Sequence, residues 1–144
     1  MALHLLKLCV GADTIEDLRD WVSRRSMAAM AAGFEPHSIH TTRMIPKQAE
    51  ALLDGGSLYW VIKGQVQARQ KLLDLRSVTG ADGITRCELL LGPEVIETAL
   101  QPRRPFQGWR YLKPEDAPVD LSSMGDAADL PDHLRRELSD LGLL

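Results

Sequence analysis

A short segment near the end of the chain combines arginines with aromatic rings. The segment "RRPFQGWRY" contains Arg103, Arg104, Phe106, Trp109 and Arg110. Guanidinium groups neutralise phosphates, and flat rings stack on nucleic-acid bases. Recognition of single-stranded RNA relies on this pairing of residue types. The segment therefore predicts a basic and aromatic surface that binds single-stranded RNA or a nucleotide.

The end of this segment is predicted to be a β-strand, and this limits what it can present. Successive side chains of a strand point to opposite faces, so Trp109 and Tyr111 share one face and Arg110 lies on the other. Two alternatives are open: the rings pack in the core and Arg110 is exposed, or the rings are exposed and Arg110 is not.

A second group of candidates lies in "SLYWVIKGQVQARQK", residues 57–71. Trp60 alternates with apolar residues and is predicted to be core, whereas Tyr59 and Lys63 fall on the opposite face and are candidates for a functional surface. Arg69 and Lys71 are two residues apart and are expected on one strand face. That face is either a basic groove or an ordinary solvated strand face.

Arg43 is expected to join this basic face if its strand is adjacent. The predicted nucleic-acid-binding residues are therefore Arg43, Tyr59, Lys63, Arg69, Lys71, Arg103, Arg104, Trp109 and Arg110.

The sequence contains no recognisable metal-binding spacing and no recognisable catalytic motif. It has no Cys-x-x-Cys, and its four histidines show no ligand spacing, so neither a metal nor a cofactor is predicted. Cys87 alternates with Leu89 and Leu91 and is predicted to be a core residue, with Glu88 on the opposite face.

Binding is therefore favoured over catalysis, and two alternatives remain. One is a hydrolase acting on a modified nucleoside or nucleotide, which would show a deep pocket holding a perturbed lysine or carboxylate. The other is a module that contacts a protein partner through residues 130–141, beneath which an apolar patch is expected. The sequence leaves the oligomeric state open.

Helical and strand patterns place these candidates on an α+β fold. Helices are predicted from Asp13 or Thr14 to Gly33 and over 46–54, and strands over 3–11, 39–44, 57–64, 65–78, 84–92, 94–100 and 108–113, with a loop over 101–107. The apolar phase slips at Leu72–Leu73, which predicts a bulge or bend. We expect a small curled, mostly antiparallel sheet or pseudobarrel with flanking helices.

Composition divides the chain into a basic body and an acidic end. Residues 1–114 contain 15 Lys and Arg against 12 Asp and Glu, a net charge of +3, whereas residues 115–144 contain 2 against 8, a net charge of −6. We predict one globular domain over 1–114, an acidic linker over 115–129 and an amphipathic helix over 130–144. Deletion of residues 121–144 is expected to strengthen RNA binding at low salt.

The sequence has neither a signal-peptide pattern nor an apolar run of membrane-spanning length, so a cytoplasmic protein without a membrane partner is predicted. Its two cysteines are then expected to be reduced.

Three segments carry a resemblance to a known family: "CVG", "TRMIPKQAEALLDGGSLYWVIKG" and "RRPFQGWRYLKPEDAP". They resemble a family of small bacterial proteins catalogued as a domain of unknown function (number 1489), over most of residues 1–120. The order of "IHTTRM", "PKQAEALLDGG" and long basic strands is also similar to the opening of PUA-like barrels, including ASCH domains. That resemblance implies a pseudobarrel and RNA binding. The ASCH pattern Gly-x-Lys-x-x-Glu-x-Arg is not matched by "GGSLYWVIKG", so the resemblance implies no catalytic residue here.

Overall fold

The computed structural model describes residues 3–104, 106 and 108–121. Within them lie two α-helices and seven strands: β1 (His4–Leu8), α1 (Ile15–Ala31), β2 (Ser38–Thr42), α2 (Ala49–Leu53), β3 (Ser57–Ile62), β4 (Gln65–Thr79), β5 (Thr85–Leu91), β6 (Ile96–Pro102) and β7 (Trp109–Leu112). A 3-10 turn over Pro114–Asp116 follows β7. This mostly-sheet architecture with two helices is compatible with the predicted α+β class.

Helix α1 begins at a capping box. The Thr14 hydroxyl accepts a hydrogen bond from the backbone N–H of Asp17 (3.1 Å), and the Asp17 carboxylate accepts one from the N–H of Thr14 (3.3 Å). Two N–H groups that the helix cannot pair internally are thereby satisfied. At the other end, Gly33 has a φ of 88°, as expected of the residue that ends a helix. The predicted start and stop are both confirmed.

Strand β4 bends at a bulge. Leu72 pairs with Leu91 and Asp74 pairs with Leu90, so Leu73 is an extra residue on β4. Before the bulge, β4 lies between β3 and β6; after it, β4 pairs with β5. The extra residue bends the strand and increases its twist. The bend predicted at Leu72–Leu73 is confirmed.

The strands form one mixed sheet in the order β2-β5-β4-β3-β1-β7, with β6 also paired to β4. The β1–β3 pair is parallel, and the other pairs are antiparallel. In a flat sheet β2 and β3 would lie at least about 14 Å apart, which is three strand spacings. The rings of His40 on β2 and Trp60 on β3 are nevertheless only 5.2 Å apart. The sheet is therefore curled, with both rings on its concave face.

Side chains bridge the two ends of the sheet. The indole N–H of Trp109 on β7 donates to the carbonyl of Met44, just beyond β2 (2.8 Å), and the Tyr111 hydroxyl accepts from the backbone N–H of Lys47 (2.9 Å). Among the described residues no backbone ladder joins β2 to β7, so the sheet is open. A closed pseudobarrel is not shown.

Each face of the sheet carries its own apolar cluster. The concave cluster packs under α1 and includes Leu5, Leu18, Leu58, Trp60, Leu89 and Trp109. The convex cluster is smaller and includes Leu6, Tyr59, Val61, Val66 and Leu112, with Phe106 and Ala117 packed against it. The convex face is thus covered by chain that follows β6.

Residues 114–121, named here the return segment, pack along β6. The N–H of Ala99 donates to the carbonyl of Val119 (2.8 Å), and Thr98 forms a bridge with Asp120. The predicted linker over 115–129 therefore starts in contact with the body. Residues 122–129 and the predicted helix over 130–144 lie outside the described residues.

The predicted loop over 101–107 begins two residues too early. Gln101 and Pro102 belong to β6, because they pair with Val66 and Gln65 on β4. Pro102 is the last residue of its strand, a position where the missing N–H costs little.

Candidate nucleic-acid interface

Three of the predicted arginines meet at one groove. Arg103, Arg104 and Arg110 line a cavity of about 510 Å³ on the convex side of the sheet. Leu6, Pro102 and Phe106 complete its lining. We call this site the arginine groove.

The elements fix how these arginines are presented. Arg110 pairs with Leu6 across β7 and β1, so both side chains lie on the convex face. The Arg110 guanidinium carbon lies 5.3 Å from the centre of the Phe106 ring, a cation–π contact. Arg104 is exposed, directly after Arg103.

Arg103 is anchored before any ligand binds. Its backbone N–H donates to the carbonyl of Gly64 (2.8 Å), and its guanidinium donates twice to the side-chain oxygen of Gln101 (3.0 and 2.7 Å). An amide oxygen orients the guanidinium without neutralising it. The fixed orientation lowers the entropy cost of binding an anion.

Among the described residues, no ion pair neutralises the charge of the groove. In the described part of the chain, ion pairs join other partners, such as Arg19 with Glu97 and Arg76 with Glu88, and none involves the three groove arginines. Desolvated walls with one sign of charge concentrate counter-ions of the opposite sign. The groove is thus suited to an anion that also carries a flat apolar group.

Trp109 does not line this groove, and the alternative in which its ring is exposed is wrong. Its side chain is 8% exposed and packs in the concave cluster, where its N–H is held by Met44. The first of the two alternatives therefore holds for Trp109, whose ring is core while Arg110 is exposed, but not for Tyr111, which is 36% exposed. Tyr111, on the same side, packs edge-on against Trp109 at 4.8 Å.

The prediction that Tyr59 is exposed is also wrong. Tyr59 is 5% exposed, and burial raises the pKa of its hydroxyl. Tyr59 and Trp60 do point to opposite faces of the strand, as predicted. The face of Tyr59, however, is covered by the second apolar cluster and is not exposed to solvent.

Arg69 is occupied by the return segment. Its Nε and Nη2 donate to the two carboxylate oxygens of Asp120 (2.8 and 2.7 Å), and its Nη1 donates to the Ser57 hydroxyl (2.7 Å). The bidentate pair holds the pKa of the Asp120 carboxyl below its usual range. Arg69 is therefore not a solvated neighbour of Lys71, which is exposed.

Neither Lys63 nor Arg43 is among the described residues that line the groove. Lys63 occupies the β3–β4 turn with a φ of 53°, and its ammonium lies 3.3 Å from Asp13. Arg43 is exposed just after β2, and β2 pairs with β5 rather than with β4. It therefore does not share a strand face with Arg69 and Lys71.

The sequence interpretation missed three residues that the fold makes prominent: Asp120, the partner of Arg69, and Lys7 and His40 on the concave face. Asp120 is 51 residues from Arg69, and no local signal links them. Lys7 interrupts the apolar pattern of "LHLLKLCVG" on its buried side, and that interruption was a readable signal.

No group of three or more His, Cys, Asp or Glu residues in the described part of the chain could hold a metal ion. None of the described helices has the length and apolarity needed to cross a membrane.

Comparison with known proteins places the chain in a family without identifying an activity. No curated protein and no solved structure matches it. A family model described as "Protein of unknown function (DUF1489)" matches residues 5–144, nearly the whole chain. The chain therefore belongs to the DUF1489 family.

Proposed function

We propose that the protein binds single-stranded nucleic acid, RNA in particular, or a nucleotide, through the arginine groove. The observation that carries this proposal is the meeting of Arg103, Arg104 and Arg110 around one cavity with Phe106 and without a described acidic partner.

The groove supplies the two contacts that single strands need. Arg104 and Arg110 are exposed and can each neutralise a phosphate. Phe106 is half-buried, so part of its ring is available to a base, and base–ring stacking typically contributes about 1–3 kcal/mol. Such contacts tolerate many sequences, and we expect weak sequence preference.

The lining supports binding better than hydrolysis. The described residues around the groove include no carboxylate, histidine or cysteine that would serve as a general base or nucleophile. The hydrolase alternative therefore draws no support from this groove.

The proposal includes a cytoplasmic location and a variant of the PUA-like pseudobarrel. The buried, free cysteines Cys9 and Cys87 agree with a reducing compartment. The curled sheet, with side chains bridging its ends, agrees with a barrel-like shape. Cell fractionation tests the location, and an experimental structure tests the closure.

The decisive experiment measures how the affinity for a labelled single-stranded RNA depends on salt. We expect the substitutions R104Q and R110Q, made together, to weaken binding and to reduce the slope of log K against log salt by about 1.4, from about 0.7 per phosphate. Fluorescence anisotropy at several salt concentrations provides the measurement.

The matched control is the pair R24Q and R76Q. These arginines are exposed and lie on α1 and β4, so the control removes the same charge at a distance from the groove. We expect the control to change the slope little. Equal effects of both pairs, or no RNA binding by the wild-type protein, would overturn the proposal.

A further inference from the structure

Lys7 occupies an unusual position for a lysine. On β1 it pairs with Trp60 of β3 on one side and with Trp109 of β7 on the other. Residues directly opposite one another in a sheet place their side chains on the same face. Both tryptophans belong to the concave cluster and are 2% and 8% exposed. The stem of Lys7 therefore leaves the sheet between two buried indole rings.

The charge of Lys7 has no counter-charge in the described part of the chain. The side chain is half-buried, and no described residue makes an ion pair or a hydrogen bond with its ammonium group. Burial lowers the pKa of Lys7 from its usual range. Holding a charge among apolar rings without a partner is unfavourable, and a bound anion would remove that cost.

His40, on β2, contacts the same tryptophan that Lys7 faces from β1. Its ring meets the Trp60 ring edge-on at 5.2 Å, and no described residue accepts from or donates to its nitrogens. The pKa of His40 is lowered to about 4, mainly by burial and to a smaller extent by the positive charges of Lys7 and Arg25. The ring is therefore neutral at pH 7, with one N–H donor and one acceptor nitrogen.

Arg25 adds a second positive charge at the edge of this space. It is exposed on α1, and its Nη1 donates to the carbonyl of Ile39, next to His40 (3.1 Å). Two cations and a neutral N–H donor are thus grouped near Trp60 and His40, and no described carboxylate forms an ion pair with Lys7 or Arg25. This is the arrangement that proteins use to receive an oxyanion.

We propose that Lys7 and His40 form a binding site for a small oxyanion, a phosphate or a carboxylate group, on the concave face of the sheet. Lys7 supplies the charge and His40 a hydrogen bond, and the indole rings exclude water and strengthen both contacts. The site is separate from the arginine groove, because Leu6, the neighbour of Lys7, points to the convex face and lines that groove.

The test is an NMR titration of the full-length protein labelled with ¹³C at the lysine ε carbons and in the histidine rings. Inorganic phosphate and acetate are each titrated to about 50 mM at constant ionic strength, so that general screening does not change. We expect the Lys7 signal and the His40 ring signals to move saturably with at least one of the two anions. Lys63, which is exposed and paired with Asp13, is the internal control and should not saturate.

Two substitutions remove the same charge at different places. Lys7→Met keeps the length of the stem but removes the ammonium group, so the saturable movement of His40 should disappear or need at least tenfold more anion. Lys63→Met should leave it unchanged. Lys7→Met should not lower the melting temperature, since a half-buried unpaired charge is removed. Lys7→Gln provides a second variant of similar size.

The outcomes separate clearly. Loss of the response in Lys7→Met and its retention in Lys63→Met and in the R104Q and R110Q double variant support the proposal. Comparison of the phosphate titration with the acetate titration shows which oxyanion the site prefers. An unresponsive wild-type Lys7 signal with both anions, an unchanged response in Lys7→Met, or loss of the response in the arginine-groove variant would each overturn it. None of these outcomes depends on RNA binding.

Discussion

At the scale of single residues, His40 is a histidine kept neutral by its surroundings. Burial is the main cause of its lowered pKa, and the charges of Lys7 and Arg25 add to it. Between pH 6.5 and about 4 the unfolded chain binds a proton at this position and the folded chain does not. The stabilisation is therefore present above pH 6.5 and is lost as the pH falls toward 4. His4, whose pKa is also lowered by burial, contributes in the same direction.

This predicts a measurable pH dependence of stability. Replacement of His40 by Gln should flatten the fall in the free energy of unfolding between pH 6.5 and 4 by about 2 kcal/mol, a value discounted for partial solvent screening. Urea titrations at several pH values provide the measurement. His37→Gln, at the half-buried histidine just before β2, is the control. Parallel pH profiles of the wild-type protein and the His40 variant would contradict the prediction.

The residues also show what side-chain alternation can and cannot decide. Alternation correctly placed Trp109 and Arg110 on opposite faces of their strand, and likewise Trp60 and Tyr59. It could not decide that both faces of the sheet are covered, because the cover on the convex face comes from residues distant in sequence. The buried positions of Trp109 and Tyr59 therefore follow from tertiary packing rather than from their own strands.

At the scale of elements, local signals predicted local structure well. The Thr14 and Asp17 capping box and the phase slip at Leu72–Leu73 were both readable, because each depends on residues a few positions apart. Helix α2 is shorter than predicted and begins at Ala49, after a residue that makes no side-chain cap. The parallel pairing of β1 with β3 joins residues about fifty positions apart, and no local pattern encodes it.

The return segment is the element whose attachment is most directly testable. Asp120 fixes it to β4 through Arg69, and both side chains are less than a quarter exposed, at 22% and 23%. Such a pair is stronger than a surface ion pair, since less water competes with it. Backbone contacts from Ala99 to Val119 lie next to it. Loss of the ion pair should therefore release the segment locally.

Asp120→Asn should lower the free energy of unfolding by about 1–3 kcal/mol, because Arg69 is left half-buried with a weaker partner. Hydrogen exchange of the Ala99 amide, which donates to Val119, should become faster. Asp116→Asn removes the same charge from an exposed side chain of the same segment and should change neither quantity. Unchanged exchange at Ala99 in the Asp120 variant would show that the ion pair does not hold the segment.

At the scale of the whole molecule, the curl of the sheet brings distant side chains together. His40 and Trp60 would be at least about 14 Å apart in a flat sheet, whereas their rings are 5.2 Å apart, so His40 lies against the same indole that Lys7 faces from β1. The sequence predicted a curled sheet from strand spacing and the bulge. It could not predict the oxyanion site, because that site depends on the degree of curvature and on which strands lie at the ends.

Net charge is also a property of the whole chain, and it differs in sign between the body and the C-terminal residues. The body carries +3 and residues 115–144 carry −6. Two unit charges 10 Å apart in water interact by about 0.4 kcal/mol, and salt at 0.1 M screens them over about that distance. Acidic residues beyond the return segment can therefore oppose an anionic ligand at the arginine groove only at low salt.

This competition predicts a salt-dependent gain of affinity. Asp126, Asp129 and Asp132 replaced together by Asn in the full-length chain should tighten RNA binding about fivefold at 50 mM salt, since three weak repulsions are removed. The gain should vanish at about 0.5 M salt. Glu16, Glu35 and Glu50, three exposed carboxylates of the body, replaced together by Gln form the control of equal charge. If the control gains as much, only net charge matters, and the acidic end has no specific relation to the groove.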